Sequence, residues 1–241
     1  MHACRARHLC HVLRDRYRLM ATEHVHVPAH ASDWATPTAA PAPGWSSSAV
    51  PDTPTTPISE GLIEIASELA PGKALDIGCG EGQNSIWLAD RGWIVNAVDT
   101  SASVIEEARA HAAAAGVDRT VVFREADLSE WSPISRYDLV FCTFALPARG
   151  MGRSRMLDMA AAAVAPGGTI LLTEFDISLR REGWMAEKYL VSLEELERHL
   201  SGFHVDRAQV RRARHRHGYE ERILPVADVV ATRRTDLRNS F

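Results

Sequence analysis

No stretch of the 241 residues stays apolar for the roughly 18 to 20 positions that a bilayer-spanning helix requires. The best run, Met159–Ala165, is short and mostly alanine, so a helical transmembrane protein is excluded. Cysteine is also scarce. The four present, Cys4, Cys10, Cys79 and Cys142, are too few and too scattered to form a disulfide framework in a chain of this size. A reducing, cytoplasmic setting is the expectation. Positive charge is not in surplus either, with 27 Lys and Arg against 31 Asp and Glu, a net charge of −4. That balance gives no reason to expect a nucleic-acid partner. The arginine-rich N-terminus lacks the apolar core of a secretory signal. What is present, 46% hydrophobic and 24% charged residues, describes a globular protein of one domain with a tail.

Residues 1–57 differ in kind from the rest. From Ala29 to Pro57, proline recurs among Ala, Ser and Thr with no helical or strand period, the composition of a disordered linker. Met1–His30 holds five arginines and three readings compete for it. It is a mobile tail or an over-extended start with Met20 as initiator, an organelle-targeting peptide, or a metal site built from Cys4, His8, Cys10 and His11. The Cys-x5-Cys spacing fits none of the usual zinc patterns, so the tail is read as non-catalytic.

Residues 58–241 form the second unit, in which strand-like and helix-like patterns alternate. Ile58–Leu69 places Leu62, Ile65, Ala66 and Leu69 on one helical face and stops at Pro71-Gly72. KALDIG reads as a strand leaving at a glycine turn, and Asn84–Arg91 as a helix closed by Gly92. WIVNAVD is a strand, after which Ser101 caps a helix running to Ala115. TVVFREAD, YDLVFCTF and GTILLTEF are three more strands, the last two bracketing a helix from about Ser154 to Ala165. Leu193–Leu200 is helical, with Ser192 and Glu195 as a capping box. FHVDRAQVRR and LPVADVVATRR make a terminal hairpin. The implied fold class is α/β: a doubly wound, mainly parallel seven-stranded sheet, with the hairpin adding antiparallel pairing at one edge. Ligands of such sheets sit outside the carboxyl ends of the strands.

The strongest chemical signal is Asp76-Ile77-Gly78-Cys79-Gly80-Glu81-Gly82, after a strand and before a helix. Three glycines allow a tight turn and let a ligand press on bare backbone. A dinucleotide fingerprint would place its third glycine at 83, where this chain has Gln83. The carboxylate of Asp76 also suits an amino-acid ligand's ammonium group better than a pyrophosphate. Asp99 stands 21 positions after Gly78, near the spacing expected of an acidic ribose ligand.

Asp-x-Gly-Cys-Gly-x-Gly resembles motif I of class I S-adenosylmethionine-dependent methyltransferases, and the resemblance continues through about Ile58–Arg234. It implies the Rossmann-like methyltransferase fold and S-adenosyl-L-methionine as cofactor. Asp76, Gly78, Cys79, Gly80, Gly82 and Asn84 would surround its amino-acid part. Asp99 and Thr100 match the ribose-binding position, Asp127 the adenine amino-group ligand, and Leu128 the neighbour of the ring. In YDLVFCTF, which resembles motif IV, Cys142 and Thr143 fall near the methionine end. RGWIVNAVDTSASVIEEARAHAAAAGV and PVADVVATRR are similar to a bacterial small-molecule group, that of tellurite-resistance and thiopurine methyltransferases. Only two of the 27 basic residues are lysine, Lys73 and Lys188, in keeping with a bacterial source.

Methyl transfer needs an acceptor aligned with the sulfur–methyl bond and water excluded. Motif IV lacks Asn-Pro-Pro-Tyr, which argues against amide and adenine amino-group acceptors, and Leu146-Pro147 stands where many relatives carry histidine. Glu174, ending the fifth strand, is the best-placed candidate carboxylate for a catalytic role, with a solvated strand-end acid as its competing reading. Trp184, Met185 and Tyr189 either line an apolar pocket or belong to local core. Arg207–His217 either recognises an anion or RNA, or protects a sheet edge with its arginines. Cys79 and Cys142 are expected to pack rather than react. The expected partner is a small-molecule acceptor, for a monomer or homodimer that does not enter a membrane. A protein or RNA acceptor and a non-catalytic cofactor-binding module remain as alternatives.

Overall fold

A computed structural model describes residues 57–128, 130–133, 135–183, 185–217 and 220–235. The readings of the tail, of Met20 and of the Cys4–His11 cluster lie outside these residues, as does Trp184.

The helices and strands alternate because the apolar period alternates. Helix α1 (Glu60–Glu68) buries Leu62 and Ile65. Strand β1 (Lys73–Ile77) is buried from Ala74 onward, as befits a strand covered on both faces. There follow α2 (Gln83–Ala89), β2 (Ile94–Asp99), α3 (Ala102–Ala114), β3 (Val121–Glu125), β4 (Tyr137–Thr143), α4 (Met151–Ala163) and β5 (Val164–Phe175). Two 3-10 turns (Ile177–Glu182 and Glu187–Tyr189) lead to α5 (Leu193–Glu197) and the hairpin strands β6 (Phe203–His217) and β7 (Glu220–Arg233).

The sheet has seven strands in the order β3-β2-β1-β4-β5-β7-β6. Strands β1 to β5 pair in parallel, whereas β7 pairs antiparallel with both β5 and β6. The chain moves outward from β1 to β3 and then returns to β4 on the other side of β1. The carboxyl ends of β1 and β4 therefore face a crevice at the reversal of strand order. Successive side chains enter opposite layers. Ala74, Leu139, Phe141 and Leu171 pack with α1, α2 and α3, while Leu75, Val140, Cys142, Ile170 and Leu172 pack with α4 and α5. A third cluster joins Phe175, Leu179, Met185, Leu190, Ala213, Leu224 and Val226 beneath the hairpin.

Four details depart from the sequence reading. Helix α4 begins at Met151 and yields to β5 at Val164, despite the helix preference of its alanines, because Pro166 drives the residue before it out of the helical region. Strand β5 begins at Val164, ahead of the GTILLTEF run, so Pro166-Gly167-Gly168 lies inside it. A Cβ on Gly168 would stand 2.9 Å from the Tyr137 carbonyl oxygen, next to the register shift between Tyr137 and Leu139. Ser192 Oγ does accept the Glu195 amide at 3.1 Å, but the Glu195 carboxylate goes to Arg153 at 3.0 Å. Ser101 sits at the start of α3 without a side-chain cap bond.

Candidate active site

The crevice is built around the turn that leaves β1. Gly78, Gly80 and Gly82 have φ values of +75°, +55° and +84°, the left-handed region that glycine enters without steric cost. Two of them are also required by packing. A Cβ on Gly78 would lie 2.1 Å from that of Ala145, and one on Gly82 would lie 2.8 Å from the Phe123 ring. Gly80 faces the open cleft. The Gly78 and Cys79 amides both donate to the Val98 carbonyl, at 2.8 and 3.0 Å, which pins the turn to β2.

Asp99, the last residue of β2, is 5% exposed and lines the cleft. Its Oδ2 accepts the Gly80 amide at 2.9 Å and its Oδ1 the Ser101 amide at 3.1 Å. A carboxylate has about four lone-pair positions, so two amides leave acceptor capacity toward the cleft. Asn84 bridges the rim. Its Oδ1 accepts the Ser59 amide at 3.1 Å while its Nδ2 donates to Thr143 Oγ1 at 3.0 Å. Of the residues singled out from sequence, Gly78, Cys79, Gly80, Asn84, Asp99 and Thr143 line this one cleft.

The others lie around it. Asp76 is buried below the turn, where it accepts Ser85 Oγ at 2.7 Å, and burial raises its pKa to about 7. Gly82 begins α2, Leu128 and Cys142 belong to the core, Thr100 is half-buried beyond Asp99, and Asp127 is exposed after β3. Burial pushes the thiols of Cys79 and Cys142 well above their usual range, so both remain protonated packing groups.

Glu174 does not face the cleft. Thr173 and Phe175 line it, so strand alternation turns the intervening side chain to the opposite layer. Nor is it solvated: at 1% exposure its Oε1 accepts the amides of Ala145 and Leu146, at 2.6 and 2.7 Å. Desolvation raises its pKa to about 7 against the lowering effect of those amides and of Arg153. Its evident work is to hold the turn after β4. Arg153 fixes the same region by donating to the carbonyls of Pro147, Lys188 and Leu190. Met185 and Tyr189 pack in or against the cluster beneath the hairpin.

The far wall comes from Phe144 and Phe175, which the sequence reading did not assign to a site, and from the Arg207–His217 run, which it read as an anion- or RNA-binding segment or an edge guard. Phe144, in the left-handed region at φ +55°, follows β4. Its ring centroid is 4.7 Å from Phe175 and 5.0 Å from His215, and the last two rings meet edge-on at 4.9 Å. Strands β6 and β7 continue past the end of β5, whose last partner is Val226, so β6 hangs its outer half over the strand ends. Arg211, Ala213 and His215, at two-residue spacing, thereby line the cleft together with Arg214. The alternation in RRARHRH was a legible signal, but only the greater length of the hairpin shows where it points.

The hairpin is tied to α1 by charge. Asp228, with no exposed surface, accepts Arg207 at 3.0 Å and Thr173 Oγ1 at 2.6 Å and pairs with Arg211 at 3.4 Å. The same arginines reach Glu64 and Glu60, each at 3.0 Å. Arg207 and Arg211 thus brace α1 against the outermost pair of strands. Among the described residues no cluster could hold a metal, and no helix is long and apolar enough to cross a membrane.

Residues 74–168 match the family model described as a methyltransferase domain. The chain is 36% identical over 102 residues to the ribosomal RNA small subunit methyltransferase C of Alcanivorax borkumensis, covering 42% of this chain and 29% of that one. It is 29% identical over 150 residues to probable thiol methyltransferase 2 of Arabidopsis thaliana, covering 60% of this chain and 63% of the relative. The chain thus spans less than two thirds of the length of these curated relatives. A solved S-adenosylmethionine-dependent methyltransferase from Methanosarcina mazei shares the fold with a TM-score of 0.61 at 20% identity, over 72% of this chain and 98% of that one.

Proposed function

We propose, for a chain that carries a class I S-adenosylmethionine-dependent methyltransferase domain, that it transfers a methyl group from S-adenosyl-L-methionine to a small-molecule acceptor. The observation that carries this reading is the convergence of the Gly78–Gly82 turn and Asp99 on one side of a cleft whose other side is aromatic. The donor set fits the cofactor. Gly80 offers bare backbone, and Asp99 offers carboxylate oxygens with room for two ribose hydroxyls. Asp127 would meet the adenine amino group beyond Leu128, and Thr143, held by Asn84, would stand at the reacting end. Asp76 acts through the turn: its bond to Ser85 steadies the base of α2.

When bound, the cofactor supplies an electrophilic methyl group on a sulfonium. The residues of this chain then have two tasks, to hold an acceptor in line with that methyl and to keep water out. Phe144 and Phe175 suit both, since their rings form an apolar wall beside Thr143. A small acceptor is favoured over a polymer because β6 and α1 close over the strand ends and leave a cleft, not a groove. The narrower kinship with bacterial tellurite-resistance and thiopurine methyltransferases rests on the sequence segments quoted above.

Calorimetric titration with S-adenosylhomocysteine tests the cofactor half of this reading, and turnover of labelled S-adenosylmethionine with small phenols, thiols and amines tests the acceptor half. Micromolar binding and transfer to one of these classes are expected. Uptake of NAD in preference to the adenosyl compound would overturn the reading.

A further inference from the structure

The wall opposite the glycine turn carries a histidine packed against two phenylalanine rings that also touch each other. His215 is half-buried, and its ring lies 5.0 Å from Phe144 and 4.9 Å from Phe175. All three line the same cleft as Gly80, Asp99 and Thr143. Phe144 reaches this position only through a left-handed backbone, a conformation that costs a non-glycine residue on the order of 1–2 kcal/mol. Strain of that kind concentrates at functional sites, where surrounding structure must hold it. Here Glu174 does so by gripping the next two amides.

Resting on the methyl-transfer reading, we propose that this aromatic wall receives a flat, π-faced acceptor carrying a hydroxyl group, and that His215 is the base that takes the hydroxyl proton. Aromatic rings prefer offset or edge-on neighbours at the separations seen here, so a ring can dock against the partly exposed Phe144, which the buried Phe175 backs from the core. The acceptor oxygen forms its bond to the methyl carbon as the sulfur–methyl bond breaks, the bonding pair staying on sulfur. The hydroxyl proton passes to an imidazole nitrogen of His215 and from there to solvent. Histidine suits the step because its unperturbed pKa lies near the working pH. The charged groups that face this space are Glu60 from α1, Glu81 from the glycine turn, Asp99 from β2 and Arg211 and Arg214 from β6. Arg222 lies across the hairpin. Arg211 is already paired with Glu60 and Asp228, so an acceptor does not need to be anionic to enter.

Two probes separate this role from a merely structural one: phenol, which must lose a proton, and thiophenol, which is largely ionised at neutral pH. The full chain loaded with S-adenosylhomocysteine is titrated with phenol while the imidazole resonances are followed by NMR, the signal absent from His215→Gln identifying the residue. The His215 resonance is expected to shift with saturation. In turnover, His215→Gln should lower kcat for phenol by about 100-fold or more, the usual scale of general-base catalysis, and leave thiophenol within about threefold. A second variant, His215→Phe, keeps an aromatic wall and should behave in the same way. An unmoved His215 resonance, unchanged phenol turnover in both variants, or equal losses on the two probes would overturn the proposal. If S-adenosylhomocysteine itself fails to bind, the methyl-transfer reading falls; if it binds and His215 stays silent, only the role of His215 does.

Discussion

Individual side chains in this cleft divide between holding a ligand and holding the turn that would receive it. Asp99 does both, because one oxygen fixes the Gly80 amide while the carboxylate borders the cleft. Replacing it with alanine should weaken S-adenosylhomocysteine binding by about 1.5–3 kcal/mol, the scale of hydrogen bonds to a charged group. Calorimetry reads this directly, and an unchanged Kd would remove Asp99 from the site. Gly82 belongs to the second category. In Gly82→Ala the new Cβ would crowd the Phe123 ring at a left-handed φ, which should lower stability by about 1–3 kcal/mol in urea melts even without ligand. A variant as stable as the parent would show that the turn relaxes freely.

At the level of elements, the decisive arrangement is α1 braced on the hairpin. Gly61 makes the approach possible, since a Cβ there would stand 2.9 Å from an Asp228 oxygen. Asp228→Ala should cost about 1–3 kcal/mol, because it leaves the buried Thr173 hydroxyl without its acceptor and takes from each arginine one of its two carboxylate partners. Glu64→Ala should cost under about 1 kcal/mol, because its carboxylate is half exposed and its ion pair is screened by solvent. Chemical denaturation of the two variants checks the order, and a larger loss in Glu64→Ala would reverse the account. The hairpin was legible as two strands at a sheet edge, and its arginines as guards of that edge. Their service to the cleft was not, because a cross-strand register over 14 residues cannot be summed from local propensity. Glu174 is the converse case. Its position at a strand end was correctly read, but which layer it entered depended on the pairing of β5 with β4 and β7.

At the scale of the whole fold, two buried carboxyl groups among the described residues shift stability with pH. Burial raises Asp76 from 3.8 and Glu174 from 4.5, each to about 7. Between those limits the folded state binds more protons than the unfolded chain. Stability from this source is therefore complete below about pH 4 and is lost as pH rises through about 7. The melting temperature should fall between pH 5 and pH 8. Glu174→Gln keeps an oxygen for the Ala145 and Leu146 amides but removes the buried acid, so the fall should shrink by roughly half. A melting temperature that climbed over that interval in the parent protein would contradict the assignment.

The amino-acid sequence by itself determined the alternation of elements, the parallel core and the glycine turn followed by an acidic residue. Each of these is a local pattern, in which periodicity, turn chemistry and spacing act over a few to about twenty residues. It also placed Asp99 and Thr143 at strand ends, since a strand announces its end by where its apolar run stops. Tertiary structure alone decided which side chains share a space. The fate of Glu174 followed from sheet register, the strain at Phe144 from the turn that Glu174 holds, and the arrival of His215 from a hairpin longer than the strand it pairs with. Those contacts join residues 28 to 71 positions apart, and only the packing of two helical layers on one twisted sheet brings them within reach.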